Sequence, residues 1–567
     1  MKFSEMPYSR PDLEKIKADS AAVLERITNA STAQEQIDAY LDYEQKNKEV
    51  STLCSLAYVR HSINTKDEFY DRENDYIDEI GPALQEMGQK IDLAMLHSKF
   101  RPQLEERFGK LMFTNLEISV RTMKPEIMEL MQEENRLSSE YQKLYASAAV
   151  EWDGEMIPLP KLGPFMQSTD RSVRKAAWEK KAAWFDEHRA QLDEIYDKLV
   201  KNRDAQGKAM GYENYIPLAY DRMGRNCWGP KECAAFREQI AKDIVPLVTK
   251  VKNEQAKRVG VEVPKYYDRS LSFPDGNPKP QGTSDEILAA GREMYHELSG
   301  ETREFIDFLY DGELLDVLSK DGKAPGGYCT NFPVYKAPFI FSNFNGTSGD
   351  VDVLTHEAGH AFADYRAARK DYLSALKSPT MEGCETHSMS MEFLTAPWHE
   401  KFFGPQTRKY EIDHCESSLI FIPYGCMVDE FQHRVYENPD MSPEDRNRLW
   451  LDLEQKYRPW MDFDNAPFYG RGGWWQQQLH IYLYPFYYID YCMAQTMAFQ
   501  FWLLSMEDRD EAWKRYLAFV DLGGTKTFEE LVRDAGMKLP YAPGCMKEIG
   551  EKISKWIDEN PLGSGTK

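Results

Sequence analysis

Asp350-Val-Asp-Val-Leu-Thr-His-Glu-Ala-Gly-His-Ala-Phe-Ala-Asp364 is the most informative stretch of this 567-residue chain. Val353, His356, Glu357, His360, Ala361 and Asp364 recur at steps of three and four, the spacing that lines one face of an α-helix. Both histidines are therefore expected on the same side, one turn apart.

Two imidazoles so placed can hold one divalent ion, and Glu357, beside the first, can reach a water on the ion's open side. This is the arrangement of a zinc hydrolase, and it requires a third ligand. Glu382-Gly-Cys-Glu-Thr-His-Ser-Met-Ser-Met-Glu-Phe-Leu394 reads as a second helix on which Glu385, Ser388, Met389 and Glu392 share a face, so Glu385 can complete the set. Pro379 is expected in the first turn of that helix and Pro397 at its end.

Upstream, Gly326-Gly-Tyr-Cys-Thr-Asn-Phe-Pro-Val-Tyr-Lys-Ala-Pro-Phe-Ile-Phe-Ser-Asn-Phe344 is a β signal that ends in Asn345-Gly-Thr-Ser-Gly349, just before the histidine helix. A strand there can bind an extended peptide through main-chain hydrogen bonds, or can simply brace the helix. Downstream, residues 469–491 gather His480 with Tyr482, Tyr484, Tyr487, Tyr488 and Tyr491. Hydroxyls and an imidazole N–H are the donors that stabilise an oxyanion, although an aromatic core uses the same residues.

Toward the N-terminus the pattern is helical, as in Asp12 to Ile27 and from Thr32 through Leu41. Asp153-Gly154, between two short apolar runs, predicts a hairpin, and a long charged helix is expected from Arg171 to about Asn202. A soft boundary near residue 200 separates a helical N-terminal lobe, 1–200, from a catalytic lobe, 201–567, that carries the metal helices and a small sheet.

A net charge of −23 repels phosphate backbones and anionic lipid, so neither nucleic acid nor membrane is an expected partner. Nine scattered cysteines without a Cys-x-x-Cys pair indicate no disulfide framework and no thiolate metal site, which fits a reducing cytoplasm. The start of the chain has no apolar core of signal-peptide length.

His356, Glu357, His360 and Glu385, the Glu-Thr-His-Ser-Met-Ser-Met-Glu segment and the His480–Tyr491 cluster together resemble the oligoendopeptidase F and thimet oligopeptidase family of zinc metallopeptidases. The match looks closest to its shorter bacterial, Pz-peptidase-like branch. The resemblance implies a mainly α, elongated, two-lobed fold around a deep central channel, with a small β-sheet beside the zinc helix. It makes His356, His360 and Glu385 the ligands of one Zn2+ per chain and Glu357 the general base, with Glu392 orienting a ligand histidine. It assigns His480, Tyr488 and Tyr491 to the reaction, and Tyr484, Tyr487, Gly326, Gly327 and Tyr328 to substrate contact.

The expected activity is hydrolysis of internal bonds in short, unfolded oligopeptides by a monomer or homodimer. An exopeptidase of the metallocarboxypeptidase type is the rival within the same chemistry. It would need a fixed cation for the substrate terminus, and no arginine announces that role in the sequence. A non-catalytic peptide-binding protein is the rival outside it, and the intact Glu357 argues against that.

Overall fold

The computed structural model describes residues 1–562. The chain forms two compact units, each assembled from three stretches. Met1–Val120, Lys279–Thr407 and Met497–Met537 make the first, and Arg121–Pro278, Arg408–Thr496 and the chain from Lys538 onward make the second. Neither unit is a continuous segment, so this is a different division from the sequence segments 1–200 and 201–567. The fold is mainly α with two small sheets. No helix among the described residues is long and apolar enough to cross a membrane.

In the first unit the predicted N-terminal helices form where their caps specify. Leu13–Asn29 begins at Asp12, whose carboxylate accepts from Lys15 N, and Ala33–Ile63 begins at Thr32, which accepts from Glu35 N. They bury Val23, Ile27 and Tyr40 against Ile91, Met95 and Phe113.

Three strands follow: β1 (Leu315–Leu318), β2 (Tyr328–Phe332) and β3 (Ala337–Phe344). β3 lies between the other two, parallel to β1 and antiparallel to β2. The central place explains its composition: all of β3 except Asn343 is buried, as a strand covered on both faces must be. β2, in contrast, forms an edge of the sheet.

The chain leaves β3 through Asn345-Gly346 and enters helix α1 (Gly349–Ala368) at once. Asp350, itself buried, accepts from the backbone N–H groups of Asn345 and Gly346, both at 2.8 Å. A carboxylate inside the first helical turn, bonded back to the preceding loop, sets the direction in which α1 leaves the sheet.

Helix α2 (Met381–Leu394) starts after Thr380, so Pro379 lies outside the first turn where it was expected, and Pro397 lies beyond the end in a short 3-10 turn. The Pro379 ring instead stands where a side chain at Gly383 would project, 2.8 Å from that position. Glycine there lets the chain fold back over the helix start.

The second unit contains the predicted hairpin, Ala149–Trp152 paired with Glu155–Pro158. Asp153 (φ 52°) and Gly154 (φ 85°) both take the left-handed conformation that a two-residue hairpin turn requires. The helix expected from Arg171 to Asn202 is two helices, Arg171–Glu187 and Arg189–Ala209, with His188 between them. The His188 ring stacks on Trp184 at 4.3 Å, and its Nδ1 reaches the Trp184 carbonyl at 2.8 Å, the same oxygen that accepts from the His188 backbone N–H at 3.1 Å. Helix α3 (Tyr488–Glu507) gives Tyr488–Thr496 to this unit and its remainder to the first.

Candidate active site

His356 and His360 lie on α1 and Glu385 on α2, all within the first unit. The Nε2 atoms of His356 and His360 are each 3.5 Å from Glu385 Oε2, and one donor atom from each residue lies within 4.8 Å of the others. Two donors about 2.1 Å from a tetrahedral zinc stand about 3.4 Å apart, which the two His–Glu separations match, and three such donors would leave a fourth position for water.

The crossing of α1 and α2 is permitted by a residue the motif leaves unspecified. A Cβ at Gly359 would stand 2.6 Å from Ser388 Cα and 2.7 Å from the His387 carbonyl oxygen. Only glycine allows the backbones to approach so closely, and the approach brings Glu385 under the two imidazoles.

Behind the donors, Glu392 Oε1 lies 2.6 Å from His356 Nδ1. Ser388 Oγ donates to the Glu385 carbonyl at 2.9 Å and stands 3.3 Å from its Oε2. The electrostatics favour positive charge at this point. Burial disfavours an ionised Glu385, but its bonds to His356 and His360 prevail and hold the carboxyl well below the usual range. Burial likewise opposes a charged His356, yet contacts with Glu385 and Glu392 raise it well above an ordinary imidazole.

Burial pushes Glu357 up, helped by Glu385 and Glu392 and opposed by the two imidazoles. His387, three residues from Ser390 on α2, is not part of the donor set. It is buried, its Nε2 has no partner among the described residues, and burial followed by His360 pushes it down to about 3. A neutral core imidazole is what remains.

β2 adjoins this site. Asn331 donates to Asp364 on α1 at 3.1 Å, and burial pushes Asp364 up to about 6. Gly326 takes φ 95°, and a Cβ on Gly327 would approach the Phe341 carbonyl oxygen at 3.4 Å. The Tyr328 ring stacks on Phe341 at 4.8 Å and meets Tyr58 at 5.2 Å, which makes it a packing residue of the sheet as well as a candidate contact. Cys329 on β2 belongs to no motif. Its thiol is raised by burial and then by Glu357 and Asp364, placing this part of β2 against the candidate base.

His480, Tyr484, Tyr487, Tyr488 and Tyr491 belong to the second unit. The four tyrosine rings surround the imidazole, with Tyr488 at 4.7 Å and the others at 6.0 Å. Gln478 Nε2 lies 3.0 Å from His480 Nδ1, and Tyr424 donates to Gln478 Oε1 at 2.6 Å. Tyr482 is different: it is fully buried and stacks on Tyr141 at 3.9 Å, so it is core.

The turn carrying these tyrosines is held by Arg225, which no motif singled out. Phe486 adopts φ 67°, costly for a bulky side chain, with its N–H donating to Gln432 at 3.1 Å and its carbonyl accepting from Arg225. The Arg225 guanidinium also reaches both Asp490 carboxylate oxygens at 3.3 Å and lies 4.2 Å from the rings of Tyr220 and Trp228. The two aromatic faces are near Arg225 in sequence, but its hydrogen-bond partners Phe486 and Asp490 are 261 and 265 residues away, so the anchor was invisible in sequence.

Residues 3–123 match the peptidase M3 N-terminal domain, and residues 164–551 match peptidase family M3. The chain is similar to a solved structure of Pz peptidase A with an inhibitor, at 46% identity, 98% coverage of this chain, 99% of that chain and a TM-score of 0.92. It is 22% identical over 443 residues to the chromosomal oligoendopeptidase F of Lactococcus lactis subsp. cremoris, covering 71% of this chain and 67% of the relative. It is 20% identical over 403 residues to the group B oligopeptidase PepB of Streptococcus agalactiae, covering 66% of this chain and 62% of the relative.

Proposed function

From membership of peptidase family M3, to which this chain belongs, we propose that the protein is a zinc-dependent endopeptidase that cleaves internal bonds of short, unfolded oligopeptides. The observation that carries this reading is the convergence of His356, His360 and Glu385 donor atoms to within 4.8 Å, with Glu357 next to the first ligand. Similarity to Pz peptidase A and to oligoendopeptidase F supports the substrate class.

His356, His360 and Glu385 would hold one zinc ion per chain. When bound, the ion supplies Lewis-acid polarisation of the scissile carbonyl and acidification of water. Glu392 accepts a hydrogen bond from His356 Nδ1–H and so keeps the tautomer that presents Nε2. Glu357 removes a proton from the attacking water and returns it to the leaving amine, and burial suits it to carrying that proton in between.

His480, Tyr488 and Tyr491 donate to the oxyanion that develops on the carbonyl, while Tyr484 and Tyr487 contact the substrate. Gly326, Gly327 and Tyr328 engage the extended peptide backbone at the edge of β2. Nine cysteines outside any disulfide suit a reducing cytoplasm.

Mass-spectrometric mapping of products from a peptide of about ten residues blocked at both ends, a length that spans an extended site, tests the reading. Internal cleavage, abolished by a chelator and restored by zinc, is expected. Trimming of free-ended peptides with the blocked peptide untouched would establish the exopeptidase instead.

A further inference from the structure

Around Trp474 the second unit buries three hydrogen-bond donors that have no acceptor among the described residues: Arg269 Nη1, Trp178 Nε1 and the Tyr469 hydroxyl. They belong to one aromatic cluster. The Trp474 ring lies 4.7 Å from that of Tyr469 and 5.5 Å from that of Trp178, and the Arg269 guanidinium carbon stands 4.6 Å above it. Tyr469 is fully buried and Trp178 almost so. Buried donors are ordinarily paired, and three unpaired ones in a single cluster call for an acceptor.

Two lysines add to the positive charge. Lys181 Nζ lies 5.7 Å from the Trp178 ring, and Lys252 donates to the Arg269 carbonyl at 3.4 Å and to Gln255 at 2.6 Å. Lys252 and Arg269 line one cavity of about 30 Å³ together with Asp268 and Trp460; Trp178, Tyr469 and Lys181 stand outside its lining. Three neighbouring carboxylates are committed elsewhere, Asp268 to Arg171 and Arg174, Glu416 to Arg258, and Glu454 to Arg458, while Asp413, near Lys252, has a buried Oδ1 with no partner among the described residues. Burial and Arg269 push Lys252 down to about 7 and Lys181 down to about 8, with Glu416 and then Asp413 opposing at Lys252. A chain of net charge −23 has no shortage of carboxylates, yet none pairs with these three cations among the described residues. Aromatic faces offset part of the cost of burying the guanidinium, and an anion would offset the rest.

We propose that Arg269, Trp178 and Tyr469, flanked by Lys181 and Lys252, form a binding site for an oxyanion, a carboxylate or phosphate group. The site is wired to the His480 cluster. Arg458 stands 5.0 Å from the Trp474 ring and 4.9 Å from that of Tyr424, whose hydroxyl bonds Gln478, the residue beside His480 Nδ1. The terminal carboxylate of a peptide and free inorganic phosphate present the same chemistry here. The first source rests on the peptidase reading, and the second does not.

The test has two arms. Calorimetric titration of the full chain carrying Glu357→Gln with inorganic phosphate, in chloride-free buffer, reads binding without turnover. Binding is expected, weakened roughly tenfold or more by Arg269→Gln and by Lys181→Gln, each of which removes one charge-assisted contact. Lys181 is only partly buried, so its variant keeps the test open if the Arg269 change unfolds the chain. In the second arm, enzyme with intact Glu357 cleaves an N-acetylated peptide with either a free or an amidated C-terminus.

A kcat/KM preference for the free acid that both variants lose supports the site and identifies the peptide terminus as its ligand. Phosphate binding without that preference supports it with a free anion. Absence of both overturns the site and leaves the donors to water, and phosphate binding unchanged in both variants overturns it as adventitious. If no peptide is cleaved at all, the phosphate arm still decides, so failure of the peptidase reading is separately visible.

Discussion

Glu392 Oε1 lies 2.6 Å from His356 Nδ1, on the edge of the ring opposite the Nε2 that stands 3.5 Å from Glu385. Each imidazole nitrogen thus has a carboxylate, one to fix the proton and one to share an ion.

Replacing Glu392 with Gln keeps the shape and removes the charge that orients the ring. Zinc affinity is expected to fall about 10- to 100-fold, the usual effect of losing such a partner. Competition against a calibrated chelator measures it, and unchanged affinity would remove Glu392 from the site.

Glu357→Gln is expected to retain zinc and to lose roughly 100- to 10,000-fold in kcat, the contribution of a positioned acid–base group. Metal content and kcat are measured on the same sample. Near wild-type turnover with zinc bound would mean that another residue is the base.

Gly359→Ala forces a methyl to within 2.6 Å of Ser388 Cα, and helix backbone cannot yield as a flexible side chain can. Overpacking of about 1–3 kcal/mol is expected, together with weaker zinc binding because Glu385 rides on the displaced α2. Thermal unfolding and zinc retention should move together. A variant that loses stability but binds zinc as well as the parent would show that the crossing does not position Glu385.

Arg225→Met leaves Asp490 buried without its cation and should cost about 3–5 kcal/mol, while Arg225→Met combined with Asp490→Leu should recover part of that loss. Because the same guanidinium holds the Phe486 carbonyl, kcat is expected to fall even in the double variant, as Tyr487, Tyr488 and Tyr491 lose their support. Full activity in the double variant would reduce Arg225 to a stabilising residue.

Local spacing determined the parts of this protein that are encoded within a few turns of chain. His356, Glu357 and His360 on one helix, the Asp153-Gly154 hairpin, the helical patterns from Asp12 and Thr32 and the strands around Phe341 could all be read without coordinates, since periodicity and turn chemistry act between neighbours. The interrupted helix at His188 could not, because no helix-breaking residue marks it and the His188 ring settles against Trp184 only once the turn has formed.

What only the tertiary structure decided depends on contacts between distant segments. Gly359 is one unremarkable letter until α2 lies across it, Tyr482 differs from Tyr484 only by its burial against Tyr141, and Arg225 meets Asp490 across 265 residues. The same holds for Arg269, whose lack of a carboxylate partner is a fact about everything packed around it and leaves no trace in its own stretch of chain. Packing and desolvation are sums over neighbours in space, and the order of residues records those neighbours only where they are also neighbours in sequence.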